Sequence, residues 1–500
     1  MSGITQYDKP EYYSNLSGKE TTDDWDILVS YSEAQLNHLL DQIWGSKKLF
    51  SNLSFSHDFG TKSYPIVKTY TFTLASPVLA FGELDGNPRA FLKMGFSGQV
   101  SIKAGTGNNP PDITEIPADA YFLNVSVPLA SFSATEDEFH DGKTVIQFES
   151  PGEKNTAHHI VFHFKNQESR WDFSAVDPNN PGPLLEDLLA IKGDVAVWFE
   201  SQAHVTWIDY SLSKISNQED PTSTLLRPKS YKFVSSSGVL NVFIQTEGSG
   251  NPPGNANNTG FGRQYDHFDF SPIPKDYTGC IILSKNLFLR KFLIEQIKSH
   301  LSSTLVPSGG VIEENAAAGA SLKLRYEKKT AIRGGTYSHG EGQASYGIDP
   351  LVVDFQDNPV TIQFFDETPY TTPKYRWKWL FKGSTNYTII SKFPVYSTAE
   401  IESKVPERTK ALAAATGYNI DFDINFDSGD QPSTYFTNGN LSVVKPHVSF
   451  HEFKIALPQL NFFSTQNIFA PGERFINVSD LMFPSDFILL GHMPDTPQTV

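Results

Sequence analysis

In Thr156-Ala-His-His-Ile-Val-Phe-His-Phe164, strand alternation puts His159 and His163 on one face, where two imidazoles can approach a shared metal, with His158 on the other. A zinc site needs a third protein ligand, and the spacing places no carboxylate there. The residues read as exposed strand histidines, and no metal is expected. Asp421, Asp423, Asn425 and Asp427 alternate through the acidic stretch ending at Asp430, an oxygen-rich spacing similar to that of calcium loops. Phe426 stands where such a loop must turn on glycine. With Phe422 and Ile424 it makes the run a strand with one solvated acidic face.

Nucleophile chemistry finds little support. Ser338-His339 follows Thr336 and Tyr337, so the Gly-x-Ser-x-Gly elbow is absent, and Asp266-His267 with Asp269 pairs an acid with a base but no nucleophile. Gly105-Thr-Gly-Asn-Asn-Pro110 lacks the third glycine of the dinucleotide fingerprint, and no Gly-Lys-Ser/Thr follows a glycine-rich loop. No cofactor is expected. Lys374-Tyr-Arg-Trp-Lys-Trp-Leu-Phe-Lys382 is the best contact surface: Lys374, Arg376, Lys378 and Lys382 suit anionic headgroups while Tyr375, Trp377 and Trp379 enter an apolar layer. On a strand the same alternation sends the three aromatic rings into a core.

The elements that must position these groups are mostly strands. Lys68 to Leu74 and Asp194 to Phe199 show the short alternation of half-buried strands. Ser32 to Trp44 instead carries Leu36, Leu39, Leu40 and Ile43 at spacings of three and four behind a capping serine, an amphipathic helix. Lys285 to Leu301 is apolar around much of its circumference, with Phe292, Leu293, Ile294 and Ile297 toward its middle, and is expected to be a buried helix. Pro183–Ile191 and Thr398–Thr416 are the other helical segments, the last interrupted by Pro406. Gly105–Pro111 and Gly334–Gly347 read as surface loops.

Composition bounds the rest. Five hundred residues carry a net charge of −16 without a basic cluster, which disfavours nucleic acid as a partner. Thirty-eight phenylalanines must be buried, and the single Cys280 lies in the apolar run Cys280–Leu283, a core position. No apolar run reaches the ~18 residues of a membrane span, and the first ten residues are not a secretory signal, so a cytoplasmic protein is expected.

Shifting the chain by 254 residues places Ile27-Leu28-Val29-Ser30 on Ile281-Ile282-Leu283-Ser284 and Leu39–Ile43 on Leu293–Ile297. The two halves share one grammar of apolar strand, serine and helix. Gly248–Gly262, rich in Gly, Asn and Pro, divides them as a flexible loop or linker, giving domains 1–247 and 263–500.

Trp25-Asp-Ile-Leu-Val-Ser-Tyr-Ser32, the helix start Glu33–Asn37 and the ending Phe483-Pro-Ser-Asp-Phe-Ile-Leu-Leu-Gly491 resemble the OrfX-type accessory proteins encoded beside clostridial neurotoxins, within the tubular lipid-binding (TULIP) superfamily. The resemblance implies an α+β fold, mostly antiparallel, of two TULIP-like domains, each a long helix wrapped by a highly curved antiparallel sheet. It implies further a non-enzymatic protein that binds lipid or another apolar ligand, or an accessory subunit of a toxin-like complex, with protein partners and peripheral membrane contact open to it. An incompletely filled sheet around each helix would leave an apolar groove along Leu36, Leu39, Leu40, Ile43, Phe292, Leu293, Ile294 and Ile297. A cyclase-like enzyme shaping an apolar substrate in a β-rich cavity and a glycan-binding β-protein are the alternatives.

Overall fold

The computed structural model describes residues 4–47, 52–107, 110–133, 138–148, 157–201, 212–217 and 225–293 (without 237, 253, 258 and 266–268), and 476–495 without 483 and 494; between 305 and 456 it describes the backbone of strands. Helix α1 (Lys9–Leu16) precedes β1 (Ile27–Ser32) and α2 (Glu33–Lys47). Then come β2 (Asn52–Asp58), β3 (Ile66–Leu74), β4 (Val78–Leu84), β5 (Asn87–Ala104), β6 (Asp112–Ser133), β7 (Glu138–Asp141), β8 (Ile146–Gln147), β9 (Ala157–Phe162) and β10 (Arg170–Ala175). Helices α3 (Leu185–Ala190) and α4 (Lys192–Glu200) lead into β11 (Ser213–Ser216), β12 (Pro228–Ser236), β13 (Val239–Thr246) and β14 (Gly279–Leu283), followed by a π-helix, Asn286–Leu293. Backbone strands follow as β15 (Leu305–Asn315), β16 (Gly319–Gly334), β17 (Ser338–Phe355), β18 (Val360–Gln363), β19 (Lys374–Trp379), β20 (Thr388–Lys392), β21 (Glu400–Glu402), β22 (Asp421–Ile424), β23 (Thr434–Thr437), β24 (Asn440–Val443) and β25 (Phe453–Ala456). The chain closes on β26 (Asn477–Met482) and β27 (Phe487–His492).

All ladders between these strands are antiparallel, so the fold is α+β with few helices. A seven-stranded sheet runs β26-β27-β14-β1-β13-β12-β8 and joins the two halves at its centre, where β1 pairs β14 with Leu28 opposite Ile282. Alternation sends Ile27, Val29, Tyr31, Ile281, Leu283, Phe487 and Leu489 to one buried cluster, and Leu28, Cys280, Ile282, Ile488 and Leu490 to another. Both faces of the sheet are therefore core, which is why these strands read as unbroken apolar runs. The second face is roofed by α1, through Tyr12 and Leu16, and by Trp25, Phe261, Phe270 and Ile273. Asp8 caps α1 by accepting from Glu11 N at 3.1 Å, and Tyr12 donates to Pro272 O at 2.6 Å. Residues of the 248–262 stretch pack back on the segment leading into β1: Asn251 Nδ2 donates to Asp26 at 2.9 Å, and a Cβ on Gly254 would stand 2.2 Å from the Trp25 ring.

A nine-stranded sheet, β11-β9-β6-β5-β3-β2 with β4, β7 and β10 on its flanks, is built around β5 and β6. These 18- and 22-residue strands bend where the register shifts between Phe96 and Gly98. Thr71 O lies 2.0 Å from where a Cβ on Gly98 would be. Helix α2 packs against β4 of this sheet and against β1 of the seven-stranded sheet.

The structure corrects several expectations. Asp194–Phe199 is part of α4, not a strand: Val195 and Phe199, four apart, are buried while Val197 is 64 % exposed, a helical face that a six-residue window cannot distinguish from alternation. Gly334–Gly347 is not a loop, since all but 335–337 belongs to β16 and β17, glycine being compatible with the ladder of a long hairpin. Within Thr398–Thr416, Glu400–Glu402 is strand β21 paired with β18, and 403–416 lies outside the described residues.

Candidate functional site

The expected groove begins at α2, whose first turn is tied to strands on both sides. Ser32 Oγ accepts from Gln35 N at 3.5 Å, the Glu33 carboxylate accepts from Phe81 N at 2.6 Å and Gly238 N at 3.3 Å, and Asn37 bonds Leu79 both as donor (2.7 Å) and acceptor (2.6 Å). Trp44 Nε1 fastens the last turn to Leu74 O at 3.2 Å. So held, the helix presents Leu36 and Leu39 at 0 % exposure, Leu40 at 1 % and Ile43 at 3 %. Leu36 and Leu39, with no accessible area, have no water-sized space against them. Around α2 these leucines are packing residues of the core.

The π-helix repeats the seat in the second half. Ser284 Oγ accepts from Leu287 N at 3.2 Å, and Phe288 lies flat on Phe487 with centroids 3.9 Å apart. Phe292, 5 % exposed, joins the same cluster as Leu36, Leu39, Leu40 and Ile43, so this one member of the second predicted set shares a core with the first. The side chain of Leu293 lies outside the described residues, as do Ile294 and Ile297. Of the expected contact surface, the backbone of Lys374, Arg376, Trp377, Lys378 and Trp379 forms β19 between β17 and β20, and the side chains are outside the described residues.

The histidines are not the exposed set expected from alternation. His158 is 3 % exposed and shares a hydrogen bond at 3.2 Å with Tyr231 Oη, which in turn bonds Ser131 Oγ. Burial, with His140 and His159 nearby, pushes its pKa down to about 4, so it is neutral at pH 7. Strand β9 ends at Phe162, and His163, just beyond it, stacks on Phe139 at 4.2 Å, while His159 pairs with Phe132 of β6. Among the described residues no three His, Cys, Asp or Glu side chains converge as metal ligands. Ser338 and His339 open β17 opposite Gly334 and Arg333, Asp421 and Asp423 lie on β22, and Asn425, Asp427, Asp266 and His267 are outside the described residues.

Sequence reading missed two buried carboxylates at the ends of the central sheet. Asp486 accepts from Thr21 N (2.5 Å), Thr21 Oγ1 (3.0 Å) and Lys285 N (2.8 Å), and burial pushes its pKa up to about 6. Asp26 accepts from Thr246 N at 2.7 Å and is also raised by burial. Both sit beside apolar strands whose hydropathy masks them. The Cys280 thiol, fully buried beside Tyr12, is pushed far up by burial.

This architecture defines a class first: an antiparallel, β-rich chain whose double-faced central sheet joins its two halves, with the OrfX-type likeness read from Trp25–Ser32 and Phe483–Gly491 matched by the fold. The particular likeness is to P47 of Clostridium botulinum E1, at 10 % identity over 95 % of this chain and 100 % of that one with a TM-score of 0.50. P47 from Clostridium botulinum A2 aligns over 96 % and 100 % of the two chains at 10 % identity and a TM-score of 0.47. No family model and no curated protein sequence matches the chain. Among the described residues, no helix is long and apolar enough to cross a membrane.

Proposed function

We propose that this protein is a non-enzymatic accessory subunit of a toxin-like complex, working by contact with protein partners. We propose also that it is built from two duplicated TULIP-like domains, 1–247 and 263–500. The observation that carries the accessory role is likeness to P47 along essentially the whole chain, 95 % of this one and 100 % of the other. The antiparallel pairing of Ile27–Ser30 beside its sequence repeat, Ile281–Ser284, supports the duplication. Binding of lipid rests on the resemblance alone, since the leucines of α2 are buried.

The test is to purify the chain with the products of the genes flanking its own and measure assembly by native mass spectrometry, with organic extraction of the same samples. A stoichiometric heteromer with a dissociation constant below about 10 μM is expected. Neighbours that stay apart at that concentration refute the accessory role, and stoichiometric extracted lipid would replace it with lipid binding.

A further inference from the structure

Arg89, near the start of β5, has a side chain only 1 % exposed. A guanidinium taken out of water must have its charge and its donors met. Its Nε donates to Ser126 Oγ at 3.0 Å, and Nη2 donates to Ser126 O at 3.0 Å and Glu168 O at 2.6 Å. Nη1 faces the Glu168 carboxylate at 3.6 Å, which is beyond hydrogen-bond range, and this is the one carboxylate within 4 Å among the described residues. The Glu168 side chain is itself 49 % exposed. It is steadied by Asn87 Nδ2 at 3.1 Å and Lys143 Nζ at 3.3 Å. Asn87 is 0 % exposed, and its Oδ1 has no hydrogen-bond partner among the described residues.

Three turns meet here: Asn87 closes the β4–β5 hairpin, Lys143 follows β7, and Glu168 lies between β9 and β10. The backbone of Glu168 is fixed, its N–H donating to Asn166 Oδ1 at 2.8 Å and its carbonyl accepting from Arg89, so its side chain alone can leave. Arg89, Lys143, Arg170 and Lys232 are balanced by Glu168, Asp85, Asp141 and Glu83, and withdrawal of Glu168 uncovers one positive charge.

We propose that Arg89, Asn87 and Lys143 form a carboxylate-binding site, filled by Glu168 in the isolated chain and by a carboxylate of a protein partner once Glu168 turns into solvent. The Asn87 Oδ1 acceptor favours a chain terminus, because a terminal residue carries an N–H beside its carboxylate and an acidic side chain does not. The proposal rests on the partner-binding reading above, but its test uses small carboxylates and stands or falls independently of co-assembly.

Thermal midpoints are measured at pH 7 for wild type and Glu168→Gln in sodium acetate, sodium N-acetylglycinate and sodium chloride at matched ionic strength. Glu168→Ala serves as a second opening variant. The opened variants should be stabilised by carboxylate over chloride, half-saturating at about one-tenth the concentration wild type needs. Adding Lys143→Ala should raise that concentration several-fold. A larger response to N-acetylglycinate assigns the occupant to a chain terminus, and equal responses assign it to an acidic side chain. Opened variants that respond to carboxylate no more than to chloride, or a response indifferent to Lys143→Ala, overturn the site.

Discussion

Leu40→Ala separates a filled core from a groove. The change removes three carbon atoms from a side chain that is 1 % exposed, worth about 2.4 kcal/mol at ~0.8 kcal/mol per methylene-sized group. A void term adds to this according to how far the surroundings relax. Asn37 and Glu33 tie the start of α2 to Leu79, Phe81 and Gly238, and Trp44 ties its end to Leu74, so the helix cannot settle into the space. We therefore expect a cost of about 4 kcal/mol, in the upper part of the ~2–5 kcal/mol range for buried Leu→Ala. Urea unfolding followed by tryptophan fluorescence measures it, with Val197→Ala, at a position 64 % exposed on α4, as the control within about 0.5 kcal/mol of wild type. A cost under about 1 kcal/mol, together with apolar molecules extracted from the purified protein, would refute the packed-core reasoning.

Burial raises the Asp486 carboxyl from 3.8 to about 6, so the folded chain keeps this proton where the unfolded chain has lost it. The group's stabilising contribution is complete below pH 3.8 and is lost as pH rises through about 6. Relative to Asp486→Asn, wild type should lose about 2 kcal/mol between pH 4 and 7, and parallel unfolding curves across that range would contradict this. Cys280 should be inert to an aromatic disulfide reagent in the native chain and titrate as one thiol in urea; rapid native labelling would show the Tyr12 roof to be open. Gly98→Ala should cost about 3 kcal/mol, since Thr71 O stands 2.0 Å from the added carbon, and an unchanged urea midpoint would rule out that close approach.

What was legible in the sequence follows periodicity. Tyr70, Phe72 and Leu74 alternate with threonines and form the buried face of β3, and Leu36, Leu39, Leu40 and Ile43 mark α2 because a helix buried on one side writes its spacing plainly. The same rule fails for α4, where buried Val195 and Phe199 are separated by residues that are themselves apolar. Glycine was a poor guide at Gly334–Gly347, since a long hairpin tolerates it where side chains need not fill space. Arg89, Glu168, Asn87 and Lys143 carried no signal, because they lie in separate segments of the chain and only the pairing of β5, β7 and β10 along residues 126–130 of β6 brings them together. His158 was misplaced for a related reason: its burial depends on Tyr231 of β12, more than seventy residues away.

The central sheet links these features. Outward from Leu28 and Ile282, β13 beyond β1 answers β27 beyond β14, and β12 answers β26, with Ile27 opposite Ile244 on one side and Ile281 opposite Leu489 on the other. The duplication we propose accounts for that order, since two copies joined through the same strand must pair antiparallel and share an axis near Leu28. Because both faces of the sheet are core, separating the halves would expose two apolar clusters and leave the β1 and β14 edges unpaired. The polar anchors lie on the same seam: Asp26 holds Thr246 and Asn251, while Asp486 holds Thr21 and Lys285, so each carboxylate fastens a segment of one half to another part of the sheet.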